Sequence, residues 1–203
     1  MTTQTRWTPL GPRRRSSCRG QSLLEFALAL PVLLLVVLGV IEVGHLLIDQ
    51  HVVTRLTREG SNLISRDVSL ADAVTALKNM TTPPVDLDGD ARVILSVVKR
   101  GATVGTANYD RLILYQRCEY GALGAQSALH TAGAGAFGGA PDYIAANSDT
   151  DTRLQLTNVA NDLVTVKGEM AYVTEIYATH STITPVFRLG VSVPGTLYSV
   201  AYF

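Results

Sequence analysis

The stretch RGQSLLEFALALPVLLLVVLGVIEVG, residues 19–44, decides the architecture of this chain. From Phe26 to Ile41 it runs for sixteen residues without a charge. Apolar character extends from Leu23 to Ile48, with only Glu25, Glu42 and His45 as titratable interruptions. About 20 residues at a rise of ~1.5 Å cross a hydrocarbon core of ~30 Å, so the run is long enough for a spanning helix. A secretory signal has a shorter apolar core of ~7–15 residues that ends at a small-x-small cleavage site. Here the chain continues as HLLIDQHVVTRL instead, so the stretch reads as a retained anchor. Pro31 lies inside it; spanning helices tolerate proline, and a mild kink is expected there.

The flanks orient the anchor. Residues 1–20 carry Arg6, Arg13, Arg14, Arg15 and Arg19 and no acid, while the remaining chain has twelve basic and seventeen acidic side chains. Positive charge beside a span stays in the cytoplasm, which places the C-terminal bulk on the far side. The RRRSS tract lacks a cleavage site downstream, which argues against twin-arginine export. No basic cluster beyond residue 20 could neutralise a phosphate backbone, so no nucleic-acid partner is expected. Cys18 and Cys118 fall on opposite sides of the span, so no intrachain disulfide is expected. Cys18 also precedes the apolar run, the wrong side for a lipoprotein acceptor.

Between the arginines and the anchor stands Gly20-Gln21-Ser22-Leu23-Leu24-Glu25-Phe26. This G-x-x-x-x-E-F pattern resembles the processing site of type IV prepilins. The wider string SLLEFALALPVLLLVVLGVIEVGHLLIDQHVVTRLTREGSNL resembles the TadE-like segment of pilin-like proteins from Flp/Tad pilus assembly systems. The resemblance rests on Glu25-Phe26, Pro31, the Leu/Val run, Gly39-Val40-Ile41-Glu42 and TREGSNL, and covers roughly residues 14–63. It implies a minor pilin or pseudopilin, cut by a prepilin peptidase between Gly20 and Gln21. It also implies partners among other pilin subunits and the Tad inner-membrane machinery, and a part in bacterial adhesion through the pilus.

The chemistry of such a cut is coherent. Glycine offers no side chain to obstruct an intramembrane active site. Cleavage creates an ammonium at Gln21, four residues or ~6 Å of helix from Glu25. A carboxylate this near hydrocarbon is costly unless paired, and that amine, from the same or a neighbouring subunit, can pair it. An acid in the first turn also suits the helix dipole. The competing reading is that Glu25 reaches the lipid headgroups and the chain is an uncleaved bitopic anchor displaying a periplasmic binding domain.

Glu42 lies seventeen residues beyond Glu25, ~25 Å along an ideal helix. His45 and Asp49 follow at i+3 and i+7, on roughly the same face. Together they read as a polar boundary at the outer membrane interface, or as an inter-subunit contact that His45 would make proton-sensitive. His45 and His51 do not face one way, so sequence alone offers no zinc pair, and no metal or cofactor is expected.

Outside the anchor the helical spacing of Val52, Leu56 and Leu63 extends the helix toward Arg66, with Gly60 as a weak point. Ser69 with Asp72 marks a helix start, and Leu70, Val74, Leu77 and Met80 give a short amphipathic helix that Pro83-Pro84 stops. Beyond it the period becomes two. RVILSVVK (92–99), DRLILYQRC (110–118), LVTVKGEMAYVTEIYA (163–178, with Gly168 as a bulge or turn) and GTLYSVAYF (195–203) read as strands. The expected fold class is α+β: a long N-terminal transmembrane helix extending into a small antiparallel sheet domain. The expected organisation is a basic cytoplasmic leader over 1–20, a transmembrane helix over 21–49, a membrane-proximal helical segment over 50–84 and an extracytoplasmic β-rich domain over 85–203.

The glycine-rich stretch 120–143 has no phosphate-loop pattern and reads as a surface loop or an assembly contact. DLDGD (86–90) and NSDTDT (147–152) lack the glycine and glutamate that complete a calcium loop and read as solvated turns. His130 and His180 come with no nucleophile elbow or triad, so the chain is not expected to be an enzyme.

Overall fold

The computed structural model describes residues 19–160, 162–184 and 194–203. The basic leader, with Arg6, Arg13, Arg14, Arg15 and Cys18, lies outside the described residues. The apolar run and its extension form one helix, α1 (Arg19–Ile64), which passes through Pro31 without interruption. It is the one helix among the described residues that is long and apolar enough to cross a membrane. After a short turn, α2 (Leu70–Met80) begins at an N-cap, Ser69, whose Oγ accepts from the Asp72 amide at 3.1 Å. This satisfies one of the amides that every helix start leaves unpaired.

Four strands follow: β1 (Ala91–Arg100), β2 (Leu112–Gly121), β3 (Met170–Thr179) and β4 (Thr196–Tyr202). They form one antiparallel sheet in the order β2-β1-β3-β4. The α+β architecture of a long apolar helix leading into a four-stranded antiparallel sheet is therefore present as the alternating patterns require. The third strand is shorter than its sequence pattern. Gly168 takes a φ of 87° and turns the chain, so β3 starts only at Met170.

One face of the sheet carries Val93, Leu95, Val97, Cys118, Ile176, Ala178 and Leu197. These pack against Val53, Leu56 and Ile64 of α1 and Leu70, Val74 and Leu77 of α2. Each valine, leucine or isoleucine side chain among them, taken from water, contributes about 1.5–3 kcal/mol. Cys118 is buried there as a free thiol, and burial pushes its pKa up. The buried side of α1 is a continuous stripe, Glu42, Asp49, Val53, Leu56, Thr57, Gly60, Ser61 and Ile64, at the three-and-four spacing of a helix seated on a surface. Gly60 is the point of closest approach: a Cβ there would stand 2.7 Å from Thr174 Cγ2 and 2.9 Å from its Oγ1. The weak point in the helix pattern is thus where the helix meets β3.

The two outer strands of the sheet, β2 and β4, also make hydrogen bonds outside the sheet. Along β4, Gln50 Nε2 donates to the Tyr198 carbonyl at 3.2 Å, and Ser61 Oγ to that of Ala201 at 2.9 Å. Along β2, Ala145 and Leu156 donate their amides to the carbonyls of Tyr115 and Leu112.

Pro141 and Tyr143 of the glycine-rich segment reach back to the helical side, while residues 127–129 lie on the sheet face away from α1. There Glu175 is fully buried and accepts from the Ala128 amide at 2.7 Å, Tyr198 at 3.2 Å, Tyr177 at 3.3 Å and the Ser127 hydroxyl. Arg117 Nη2 donates to Ser127 Oγ at 3.0 Å and to the Leu129 carbonyl at 3.1 Å. Small residues let this irregular chain lie close; a Cβ at Gly135 would fall 2.1 Å from Leu154 Cδ2. The acidic turns are likewise engaged by their own surroundings. Asp86 Oδ1 accepts the amides of Asp88 and Gly89, Asp88 pairs with Lys78 at 2.8 Å, and Asp151 pairs with Arg153 at 2.8 Å.

Two outcomes test this packing. Gly60→Val should destabilise the chain by about 1–3 kcal/mol through overpacking against Thr174, read as a lower urea midpoint for the full chain in detergent micelles. An unchanged midpoint would mean that α1 does not lie this close to β3. The second concerns alkaline pH. Burial, then the Glu175 carboxylate, raises the Tyr177 phenol to about 12, and the same causes raise Tyr198. In the unfolded chain a phenol ionises near ~10, so above that pH the unfolded state loses its protons first. Stability should therefore fall as pH rises through this range, and ultraviolet absorbance should show late-ionising tyrosines that Glu175→Gln brings down.

Candidate functional site

Two groups of side chains on α1 stand apart from the ordinary core. The first lies on its opening turns. Gln21, Glu25 and Phe26 are exposed, and space is open around Gly20, where an added Cβ would meet no atom within 4 Å. Gln21 Nε2 donates to Glu25 Oε1 at 3.1 Å, one helical turn away. Leu23, Leu24, Phe26, Leu28 and Val32 all expose much of their surface, so none of the described residues covers this end of the helix. From Gln21 to Ile41 the bare stretch spans roughly 31 Å, the thickness of a bilayer core.

The second group begins where that stretch ends. Glu42 is fully buried, although its neighbours Ile41 and Val43 are half exposed. Its carboxylate accepts the amide of Thr184 at 2.9 Å and that of Ile183 at 3.2 Å. Those residues follow directly on β3, so the segment leaving the strand folds back onto the helix. His180, on the same segment, is inserted between Glu42 and Asp49. Its Nδ1 lies 2.8 Å from Asp49 Oδ2 and its Nε2 lies 3.8 Å from Glu42 Oε1. Asp49 is buried, and its Oδ2 also faces His45 Nδ1 at 3.7 Å. The rings of His45 and His180 stand 5.4 Å apart, tilted by 39°. Among the described residues, His45 Nδ1 and His180 Nε2 are buried atoms with no hydrogen-bond partner.

The electrostatics follow from this inventory. Two carboxylates are buried within one cluster, and among the described residues no lysine or arginine pairs with either. Unpaired buried charge is expensive, and backbone amides offset only part of the cost for Glu42. A neutral His180 that donates from Nδ1 to Asp49 turns a lone pair toward Glu42; as an imidazolium it offers an N–H to both. Two buried carboxylates therefore meet two imidazoles in the gap between helix and sheet, with no lysine or arginine beside them among the described residues.

Glu42, His45 and Asp49 were singled out by their spacing, and the structure brings all three to one face. It does not bring them together with Gly20, Gln21, Glu25 and Phe26, which lie at the other end of the apolar run. His180, Ile183 and Thr184 were not visible as part of this group. His180 sits more than a hundred residues away in sequence, and the only signal was that two acids and a histidine on one helical face require a partner. His51 is exposed and takes no part.

A family model described as TadE-like protein matches residues 20–62. The matched residues start at Gly20 and stop two short of the end of α1, so the likeness covers the helix and not the sheet. Neither a curated protein nor a solved structure matches the chain at a significant level.

Glu42→Gln should weaken the hold on the returning segment while leaving its shape intact. Hydrogen exchange at the Ile183 and Thr184 amides is expected to quicken by about tenfold or more, the loss of two bonds to a charged acceptor. Exchange in β1 should stay unchanged, and equal acceleration throughout the sheet would mean that Glu42 supports the whole fold instead.

Proposed function

We propose that this chain is a structural, non-enzymatic, pilin-like subunit of a bacterial Tad pilus assembly system. It enters the inner membrane once, with its arginine-rich leader in the cytoplasm and its sheet domain in the periplasm or on the pilus. A prepilin peptidase cuts between Gly20 and Gln21. The mature chains then pack side by side through the apolar surface of α1, beside membrane lipid and the other Tad components, in a minor-pilin or pseudopilin role. The observation that carries this reading is the TadE-like match, which opens at Gly20 and covers a helix with a bare apolar surface.

The geometry of the first turns supports the assembly step. Glu25 is exposed, and among the described residues its hydrogen-bond partner is Gln21, whose amino group cleavage would expose. An ammonium at Gln21 can replace that amide as partner, within the chain or in a neighbouring one. The same hydrogen bond favours a second reading: Glu25 has a polar neighbour even when the chain is uncut, as an anchor displaying a binding domain would need.

N-terminal sequencing of the native protein separates the two. A species beginning at Gln21 is expected, and only full-length chain would leave the anchor reading standing. Gly20→Ile should block processing. Glu25→Ala should leave cleavage largely intact but reduce incorporation into the apparatus, and normal incorporation would count against charge pairing.

A further inference from the structure

The cluster beneath Glu42 has the ligand set and the outer support of a metal site. We propose that His45, Asp49 and His180 bind one divalent cation of the zinc class at the junction of α1 and the sheet domain. One ligand atom from each of the three lies within 4.8 Å of the other two. Asp49 Oδ2 stands 2.8 Å from His180 Nδ1 and 3.7 Å from His45 Nδ1. Ligands of a tetrahedral zinc ion, bound at ~2.0–2.1 Å, stand about 3.3 Å from one another. Of the two separations to Asp49, one needs to open by roughly half an ångström and the other to close by slightly less; the third, between the two imidazole nitrogens, starts within 4.8 Å and closes by at most about 1.5 Å, through rotation of the rings.

Three further observations point the same way. His45 Nδ1 is buried, has no hydrogen-bond partner among the described residues and faces the carboxylate. With His180 Nδ1 on the ion, its Nε2 carries the proton and faces Glu42 Oε1, now 3.8 Å away. A ligating histidine whose other nitrogen is held by a carboxylate is the usual outer support of zinc, and it fixes the ring and its tautomer. Charge also balances: Glu42 and Asp49 bring two negative charges to a buried site, and a divalent cation with two neutral imidazoles cancels both. Imidazole nitrogen with one carboxylate suits zinc better than magnesium or calcium, which require more oxygen. The fourth position falls to water, on the side where His45 is partly open to solvent.

The ion would join α1 directly to the segment after β3. It would set the angle at which the sheet domain stands on the membrane helix. It does not depend on cleavage or on the identity of the assembly.

The test is zinc titration of the full chain, purified without a histidine tag, in detergent micelles at neutral pH. Calorimetry should give one site per chain, and zinc should slow hydrogen exchange at Ile183 and Thr184. His45→Ala, a partly exposed position, should weaken binding at least tenfold, as should Asp49→Asn. Glu42→Gln should weaken it by about 10–100-fold as an outer-sphere change, and His51→Ala should have no effect. Absence of a saturable site, full affinity in His45→Ala, or a loss in His51→Ala equal to that in His45→Ala would each overturn the proposal. Since His180→Ala risks unfolding the junction, the decision rests on His45 and the exchange readout.

Discussion

The carboxylate of Glu42 has to be satisfied where α1 leaves its apolar stretch, and the chain satisfies it from 141 and 142 residues away. The rest of the arrangement depends on that contact. Helix residues toward the N-terminus face outward on all sides, whereas the stripe from Glu42 to Ile64 faces the sheet. A helix that serves two surroundings needs a point of transition. Here it is a buried acid that accepts two backbone amides from the segment after β3. Without such a partner, the acid would favour sliding the helix until it met water, and the register of α1 against the sheet would be less sharply set.

Below this point the packing changes character in an orderly way. Near the transition the contacts are polar: Glu42, Asp49 and His180. Gln50 and Ser61 then donate to carbonyls of β4, and Val53, Leu56 and Ile64 join the apolar core with α2. Gly60 lets the helix lie against Thr174 in β3. The apolar part supplies the stabilisation, since each side chain removed from water adds on its own. The polar part contributes position, because a hydrogen bond to a buried charge tolerates little displacement.

Much of the fold was legible in the sequence because it is periodic. The two-residue alternation of RVILSVVK and its counterparts located all four strands, and Ser69 with Asp72 located the start of α2. Local pattern decides less where tertiary contact intervenes. LVTVKGE alternates like a strand; of the two roles open to Gly168, bulge or turn, it takes the turn, and β3 begins only beyond it. Gly60 looked like a flaw in the helix because only the helix was in view; its reason lies in β3. The glycine-rich stretch has no period and gave no hint that Ser127 and Ala128 would meet a buried Glu175. The same limit applied at the site. Helical spacing grouped Glu42, His45 and Asp49, but no pattern connects a helix residue to His180 across most of the chain.

Two acids of α1, Glu25 and Glu42, mark opposite ends of the bare helix and have opposite relations to the fold. Glu42 finds its partners inside the chain and is buried; among the described residues Glu25 bonds to Gln21 alone, and it is exposed. A charge buried within a subunit has little left to give another subunit, and one left near the surface of an apolar helix is costly without a partner. Glu42 therefore ties the segment after β3 to the helix, and Glu25 stays exposed at the far end of the apolar run. The TadE-like match over residues 20–62 includes both acids and omits the sheet. The match thus covers the helix and these two acids, while His180 and the amides of Ile183 and Thr184, which meet Glu42, come from the segment after β3, beyond the matched residues.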